Sequence, residues 1–144
     1  MNKQLKGKLP FESSYTFGPA GEKTLTAIKE GKFVATHCAT CDITYYPARH
    51  FCEKCFADII EDTKEVGPEG EVVSVSRITV NLEGKRTKPY HAALIQLQGC
   101  NTVFLHKLKG ADFKTGQKVR PVFKNQAERK GRITDILAFE IAKN

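Results

Sequence analysis

Residues 36–55 read "THCATCDITYYPARHFCEKC" and hold four of the chain's five cysteines as two Cys-x-x-Cys pairs, Cys38/Cys41 and Cys52/Cys55. Ten residues, Asp42 to Phe51, separate the pairs. That spacing lets two tight knuckles converge, so that four thiolates form a tetrahedron about a metal ion. Each turn aims two sulfurs inward, and the backbone N–H groups that follow it donate to the negative sulfurs. The residue after the second cysteine of a knuckle tends toward positive φ and is often Gly; here Asp42 and Phe56 stand there. Asp tolerates that conformation and Phe does so less readily.

The pattern is a zinc ribbon, and the metal it implies is structural. A catalytic zinc keeps three protein ligands and an open position, whereas four thiolates fill the shell. His37 and His50 flank the cluster, but four well-spaced thiols leave them no ligand role. Tetrahedral sulfur also suits iron, so a rubredoxin-type iron site stays open as the alternative. A thioredoxin-like redox pair is not supported, because no βαβ pattern surrounds either Cys-x-x-Cys.

The bulk properties agree with this reading. At 144 residues, 40% hydrophobic and 27% charged, the chain has the composition of a globular domain with one respectable core. No apolar run approaches the roughly 20 residues of a membrane span. The start, "MNKQLKGKLPFESS" (1–14), is basic but lacks the apolar core of a secretory signal, so the expected location is the cytoplasm. A reducing compartment disfavours a disulfide framework and favours metal for paired cysteines. The fifth cysteine, Cys100, reads as a small buried hydrophobe.

Outward from the knot the chain divides into three expected parts: an N-terminal arm with a short helix (1–31), the ribbon (32–62) and a β domain (63–144). The arm is rich in Gly, Pro, Ser and Lys and carries the isolated aromatics Phe11, Tyr15 and Phe17. The helix is expected over Glu22–Glu30, with Leu25, Ala27 and Ile28 on one face and Gly31 as its stop. "KFVATH" (32–37) reads as a strand entering the first knuckle. After Cys55 an acidic linker and "GPEG" (67–70) mark the boundary.

Five strands with turn chemistry between them follow: "EVVSVSRITV" (71–80), "YHAALIQL" (90–97), "NTVFLHKL" (101–108), "QKVRPVFKN" (117–125) and "RITDILAFEI" (132–141). Val73 and Val75 share one phase and Ile78 and Val80 the other, which predicts a β-bulge near Arg77. Pro121 has no N–H to give and belongs at an edge or bulge. Five strands, the first long and bent, predict a small closed barrel of the oligonucleotide/oligosaccharide-binding (OB) type. The fold expected is therefore mainly β: arm and helix, rubredoxin-like zinc ribbon, five-stranded OB-fold barrel.

Of the formal net charge of +7, most lies in residues 61–144, which hold fifteen basic and ten acidic side chains. A basic barrel raises a nucleic-acid reading, with Tyr90 or Phe104 as stacking platforms and "KRTK" (85–88) on phosphates. Against it, aromatics are few and there is no Trp.

The run "GKFVATHCATCDITYYPARHFCEKC" (31–55), followed by "GPEGEVVSVSRITV" (67–80), "KPYHAALIQL" (88–97) and "TGQKVRPVF" (115–123), resembles the DUF35 family of acyl-CoA-associated proteins. That family joins a rubredoxin-like zinc ribbon to an OB fold, and the likeness runs from about Thr24 to the C-terminus. Asp42 stands for the usual Gly, "YPAR" (46–49) for a Pro-Pro-Arg-like segment, and Glu53 for a Pro in the second knuckle. The resemblance implies one structural zinc on Cys38, Cys41, Cys52 and Cys55, with Pro47 and Arg49 in the loop between the pairs. It also implies a partner role: a small subunit without the nucleophile, beside a thiolase-like catalytic subunit acting on a CoA thioester. No catalytic residue is assigned. Lys85, Arg86 and Lys88 are candidates for the phosphates of CoA, with Tyr90 packing on adenine or acyl chain. Phe11, Tyr15 and Phe17 are candidate anchors on the partner.

Overall fold

The computed structural model describes Gly7 and residues 10–143. The basic start of the arm, residues 1–6 and 8–9, lies outside the described residues. Thirteen residues form α1 (Gly18–Glu30), the one α-helix among the described residues. It begins one turn before the expected Glu22, because Pro19 in the first turn presets a helical φ and loses no hydrogen bond there. Gly21 is needed on this added turn, where a Cβ would lie 2.6 Å from the Phe17 Cβ. Gly31, at φ 79°, ends the helix as expected: its N–H reaches the Ile28 carbonyl at 3.0 Å, and the Lys32 N–H reaches that of Ala27 at 2.9 Å.

A three-stranded antiparallel sheet follows, ordered β2 (Ile43–Tyr45), β1 (Phe33–Cys38), β3 (Thr63–Val66). Strand alternation gives β1 two jobs. Phe33 and Ala35 belong to the large core, while Cys38, with Tyr45 of β2, belongs to the small cluster around the cysteines.

The remaining strands are β4 (Gly70–Val80), β5 (Arg86–Leu97), β6 (Phe104–Leu108), β7 (Lys118–Phe123) and β8 (Ile136–Ile141). They close into a barrel in the order β4-β5-β6-β8-β7, as expected for an OB fold. Gly70 sits where β4 crosses β5; a Cβ there would meet the Gln96 carbonyl and Ile95 Cγ2, each at 2.8 Å. β7 pairs with β4 only at Lys118 and Val119, so Pro121 lies beyond the stretch where that neighbour needs a donor.

Four expectations are revised. β5 begins at Arg86, paired with Val80, and not at Tyr90. β4 breaks register twice, between Val72 and Ser74, which was not expected, and between Ile78 and Val80, beside the bulge expected near Arg77. The first break lets Val72 and Val75 both meet the core, three residues apart, and leaves Val73 41% exposed. Asn101 and Thr102, expected to begin a strand, clamp the ribbon instead. The Thr44 N–H donates to Asn101 Oδ1 at 2.8 Å and the Asn101 N–H to the Thr44 carbonyl at 2.9 Å. Thr102 Oγ1 accepts from the Tyr46 N–H and donates to the Tyr46 carbonyl, both at 2.9 Å. Residues Ile133–Asp135 form a 3-10 turn before β8 rather than its first residues.

One core joins helix, ribbon sheet and barrel. Phe33 is fully buried at its centre, with ring centroids 5.3 Å from Tyr46, 5.5 Å from Phe123, 6.2 Å from Phe139 and 6.5 Å from Phe104. Burial of such a ring contributes about 1.5–3 kcal/mol. Among the described residues no helix is long and apolar enough to cross a membrane.

Candidate metal centre

β1 ends on Cys38, a turn carries Cys41, and the second knuckle brings Cys52 and Cys55 back beside them. The four sulfurs all lie within 4.8 Å of one another, and Cys38 Sγ is 3.6 Å from Cys55 Sγ. Zinc at about 2.3 Å from four tetrahedral sulfurs sets them about 3.8 Å apart, so the cluster fits one such ion with little adjustment.

Local geometry explains the convergence. Asp42 adopts φ 52° and Phe56 φ 59°, the left-handed conformation expected after each pair. In the second knuckle the Phe56 N–H donates to the Cys52 carbonyl at 2.9 Å and the Cys52 N–H to the Ala57 carbonyl at 3.0 Å. The Tyr45 hydroxyl lies 3.3 Å from Cys52 Sγ. That hydroxyl, helped by the backbone N–H groups of Cys55 and Lys54, lowers the Cys52 thiol to about 6. Sharing of hydrogen bonds, first with Cys55, raises Cys41 to about 12. The neighbouring histidines have other partners: His37 Nδ1 lies 2.9 Å from Thr44 Oγ1, and His50 Nε2 lies 3.3 Å from Asp58 Oδ2. The chain therefore holds a site for one metal ion, made of four cysteines.

The other sequence candidates are placed as follows. Cys100 is buried in the main core, and burial pushes its thiol up to about 11. Phe104 is buried too, which removes it as a stacking platform, since it faces the barrel interior beside Phe33. Lys88 and Tyr90 line an open groove of about 660 Å³ on the barrel wall, with Lys107, Lys109, Val122 and Leu137. Lys107 Nζ sits 5.2 Å from the Tyr90 ring centroid, a cation–π contact. Lys85 and Arg86 are not in this groove: Lys85 pairs with Glu83 at 3.0 Å at the hairpin tip, and Arg86 is paired with Val80 in the outer hairpin. Lys107 and Lys109 were missed because only the register across β5 and β6, Ala92 opposite Lys107, brings them beside Tyr90. Phe11, Tyr15 and Phe17 are 87%, 80% and 67% exposed, the last two packed edge to face at 5.9 Å.

Residues 25–61 match the family model described as ChsH2, rubredoxin-like zinc ribbon domain, and residues 63–124 match ChsH2, C-terminal OB-fold domain. A DUF35-family protein of unknown function from Sulfolobus solfataricus is 27% identical, over 86% of this chain and 84% of that one, with a TM-score of 0.66. A structure described as the Ltp2-ChsH2(DUF35) aldolase shares the fold, with 21% identity over 90% of this chain and 98% of that one and a TM-score of 0.62. No curated protein matches.

Proposed function

A chain that carries both the zinc ribbon and the OB-fold domain of ChsH2 belongs to that two-domain DUF35 family, and from that premise we propose that it is a non-catalytic subunit of a thiolase-type acyl-CoA enzyme complex. The observation that carries the reading is the four-cysteine site on a ribbon whose sheet shares one core with the barrel. Four thiolates leave the ion no open position for substrate, so zinc supplies folding free energy and holds a surface in shape. Cys100, with its thiol raised by burial, suits packing and not attack on a thioester. The structure described as an Ltp2-ChsH2 aldolase couples a DUF35 chain to a second protein, which is the arrangement proposed for this chain.

The finer assignments belong to the same proposal. The partner performs carbon–carbon cleavage by thiolysis, and we take this chain as the small subunit of a 2-benzoylsuccinyl-CoA thiolase, of anaerobic toluene degradation, which gives the substrate to try first. The CoA thioester is shared with the partner: Lys88, Lys107 and Lys109 receive phosphates and Tyr90 offers a face to adenine, with Lys85 and Arg86 reaching out from the hairpin. Phe11, Tyr15 and Phe17 anchor the arm on the partner. A nucleic-acid role is the second reading, favoured by the same lysines beside an exposed aromatic on an OB wall.

Co-expression with a thiolase-like protein followed by size exclusion tests the proposal. A stable hetero-oligomer is expected, and two separately eluting proteins contradict it. Binding to single-stranded oligonucleotide that collapses between 50 and 200 mM salt would favour the second reading.

A further inference from the structure

β4 and β5 run on past the barrel that they begin. β7 pairs with β4 only at Gly70 and Glu71, and the last backbone bonds on that side belong to Val72, which donates to the Gln117 carbonyl at 3.0 Å and accepts from the Gly116 N–H at 2.7 Å. β6 pairs with β5 only over residues 91–95. Beyond these points residues 74–80 and 86–90 form a two-stranded ribbon, each strand the other's only strand neighbour among the described residues. An antiparallel strand directs its N–H and C=O groups to its two sides in alternation, so each strand of the ribbon keeps one row of them without a ladder partner.

The two free edges are not alike. On β5, Pro89 has no N–H to offer, and the register shift sets Tyr90 to Arg86 of β5 against Ile78 to Val80 of β4, so the surplus residues bulge on that edge. Proline and a bulge close an edge to a further strand. On β4, residues 73–80, "VSVSRITV", contain neither proline nor glycine and are rich in β-branched side chains, which keep the chain extended. The turn fixes the ribbon's shape, since Asn81 Oδ1 accepts the N–H groups of Glu83 and Lys85 at 3.0 and 2.9 Å. Charge on the ribbon is mainly of one sign: residues 73–90 hold Arg77, Lys85, Arg86 and Lys88 against Glu83 alone, and Glu83 pairs with Lys85 at 3.0 Å. Arg77 lies on β4 itself and is exposed.

We propose that the outer edge of β4, residues 74–80, takes an extended acidic segment of the catalytic subunit as an added strand, with Arg77 meeting its carboxylates. The inference rests on the subunit role proposed above. An unfilled row of backbone donors and acceptors calls for a peptide, because only another strand repeats at the same spacing. Arg77 decides the sign of that peptide. It is the midpoint of the stretch, so two copies of β4 paired antiparallel over these residues would set Arg77 opposite Arg77, and like charges directly opposite destabilise a pair. A carboxylate at that position is attracted instead.

The full chain and a co-expressed thiolase-like protein provide the test, read by amide hydrogen exchange over residues 74–80 and by the dissociation constant of the complex. The outward-facing amides of this stretch are expected to exchange fast in the free chain and to become protected in the complex. Arg77→Glu is expected to keep the zinc and the melting temperature of wild type and to bind the partner about tenfold more weakly or worse, as a charge reversed at a contact does. A complex that forms with exchange over 74–80 unchanged overturns the proposal, and so does wild-type affinity in Arg77→Glu. Protection that grows with the concentration of this chain alone identifies a second copy as the occupant, and protection by a single-stranded oligonucleotide in place of the protein identifies nucleic acid; either result overturns it. A wild-type chain that forms no complex at all removes the subunit role itself, and the added strand with it.

Discussion

At the residue scale the metal site was the most legible part of the sequence. Spacing named Cys38, Cys41, Cys52 and Cys55, and the left-handed positions at Asp42 and Phe56 followed from the chemistry of a knuckle. Tyr45 was not legible as a supporting residue, because its contact with Cys52 depends on how β2 folds over the second knuckle. Tyr45→Phe should lower zinc affinity about tenfold with the fold intact, as loss of a hydrogen bond to a ligand does; competition with a chromophoric chelator measures it. Asp135 is a second such residue, 1% exposed, whose Oδ2 accepts the N–H groups of Lys130, Gly131 and Arg132 at 2.8, 2.7 and 3.0 Å. The Arg132 N–H, followed by those of Lys130 and Gly131, and the Lys124 ammonium hold its carboxyl below the ordinary value. A depressed folded pKa adds stability above about pH 4, the unfolded value, and loses it as pH falls through the folded value. Asp135→Asn should therefore lower the melting temperature at pH 7 by about 5 °C or more and flatten its decline in acid, as thermal melts across pH would record.

At the element scale the five strands were legible from turn chemistry and alternation, but their phase was not. Val72, Val73 and Val75 are chemically equivalent on paper, and only closure of the barrel decides that 72 and 75 go inward. The same limit hid Lys107 and Lys109, which join Tyr90 through cross-strand register. Asn101 and Thr102 read as strand because they precede an apolar run; their side chains are spent on the backbone of Thr44 and Tyr46. Thr102→Val keeps the shape and removes both hydrogen bonds to Tyr46. It should cost about 1–3 kcal/mol, the penalty for leaving such groups unpaired, measurable by urea denaturation.

At the scale of the whole molecule, ribbon and barrel are bound into one unit by Phe33 and by the clamp at Thr44 and Tyr46. Zinc removal should then lower the stability of the barrel as well as of the ribbon. Structural zinc contributes on the order of 10–16 kcal/mol in small peptides, as large as the roughly 5–15 kcal/mol of a typical domain. Chelation or Cys52→Ser is expected to give a chain that exposes apolar surface and no longer assembles, while a normally folded metal-free barrel would show the two units to be independent. The central proposal is that this chain is a non-catalytic subunit required by a partner that performs the chemistry. Thiolytic cleavage of 2-benzoylsuccinyl-CoA, then of other acyl-CoA thioesters, by the thiolase-like protein with and without this subunit tests it most directly. The account predicts turnover only from the complex; undiminished turnover by the large subunit alone would contradict it.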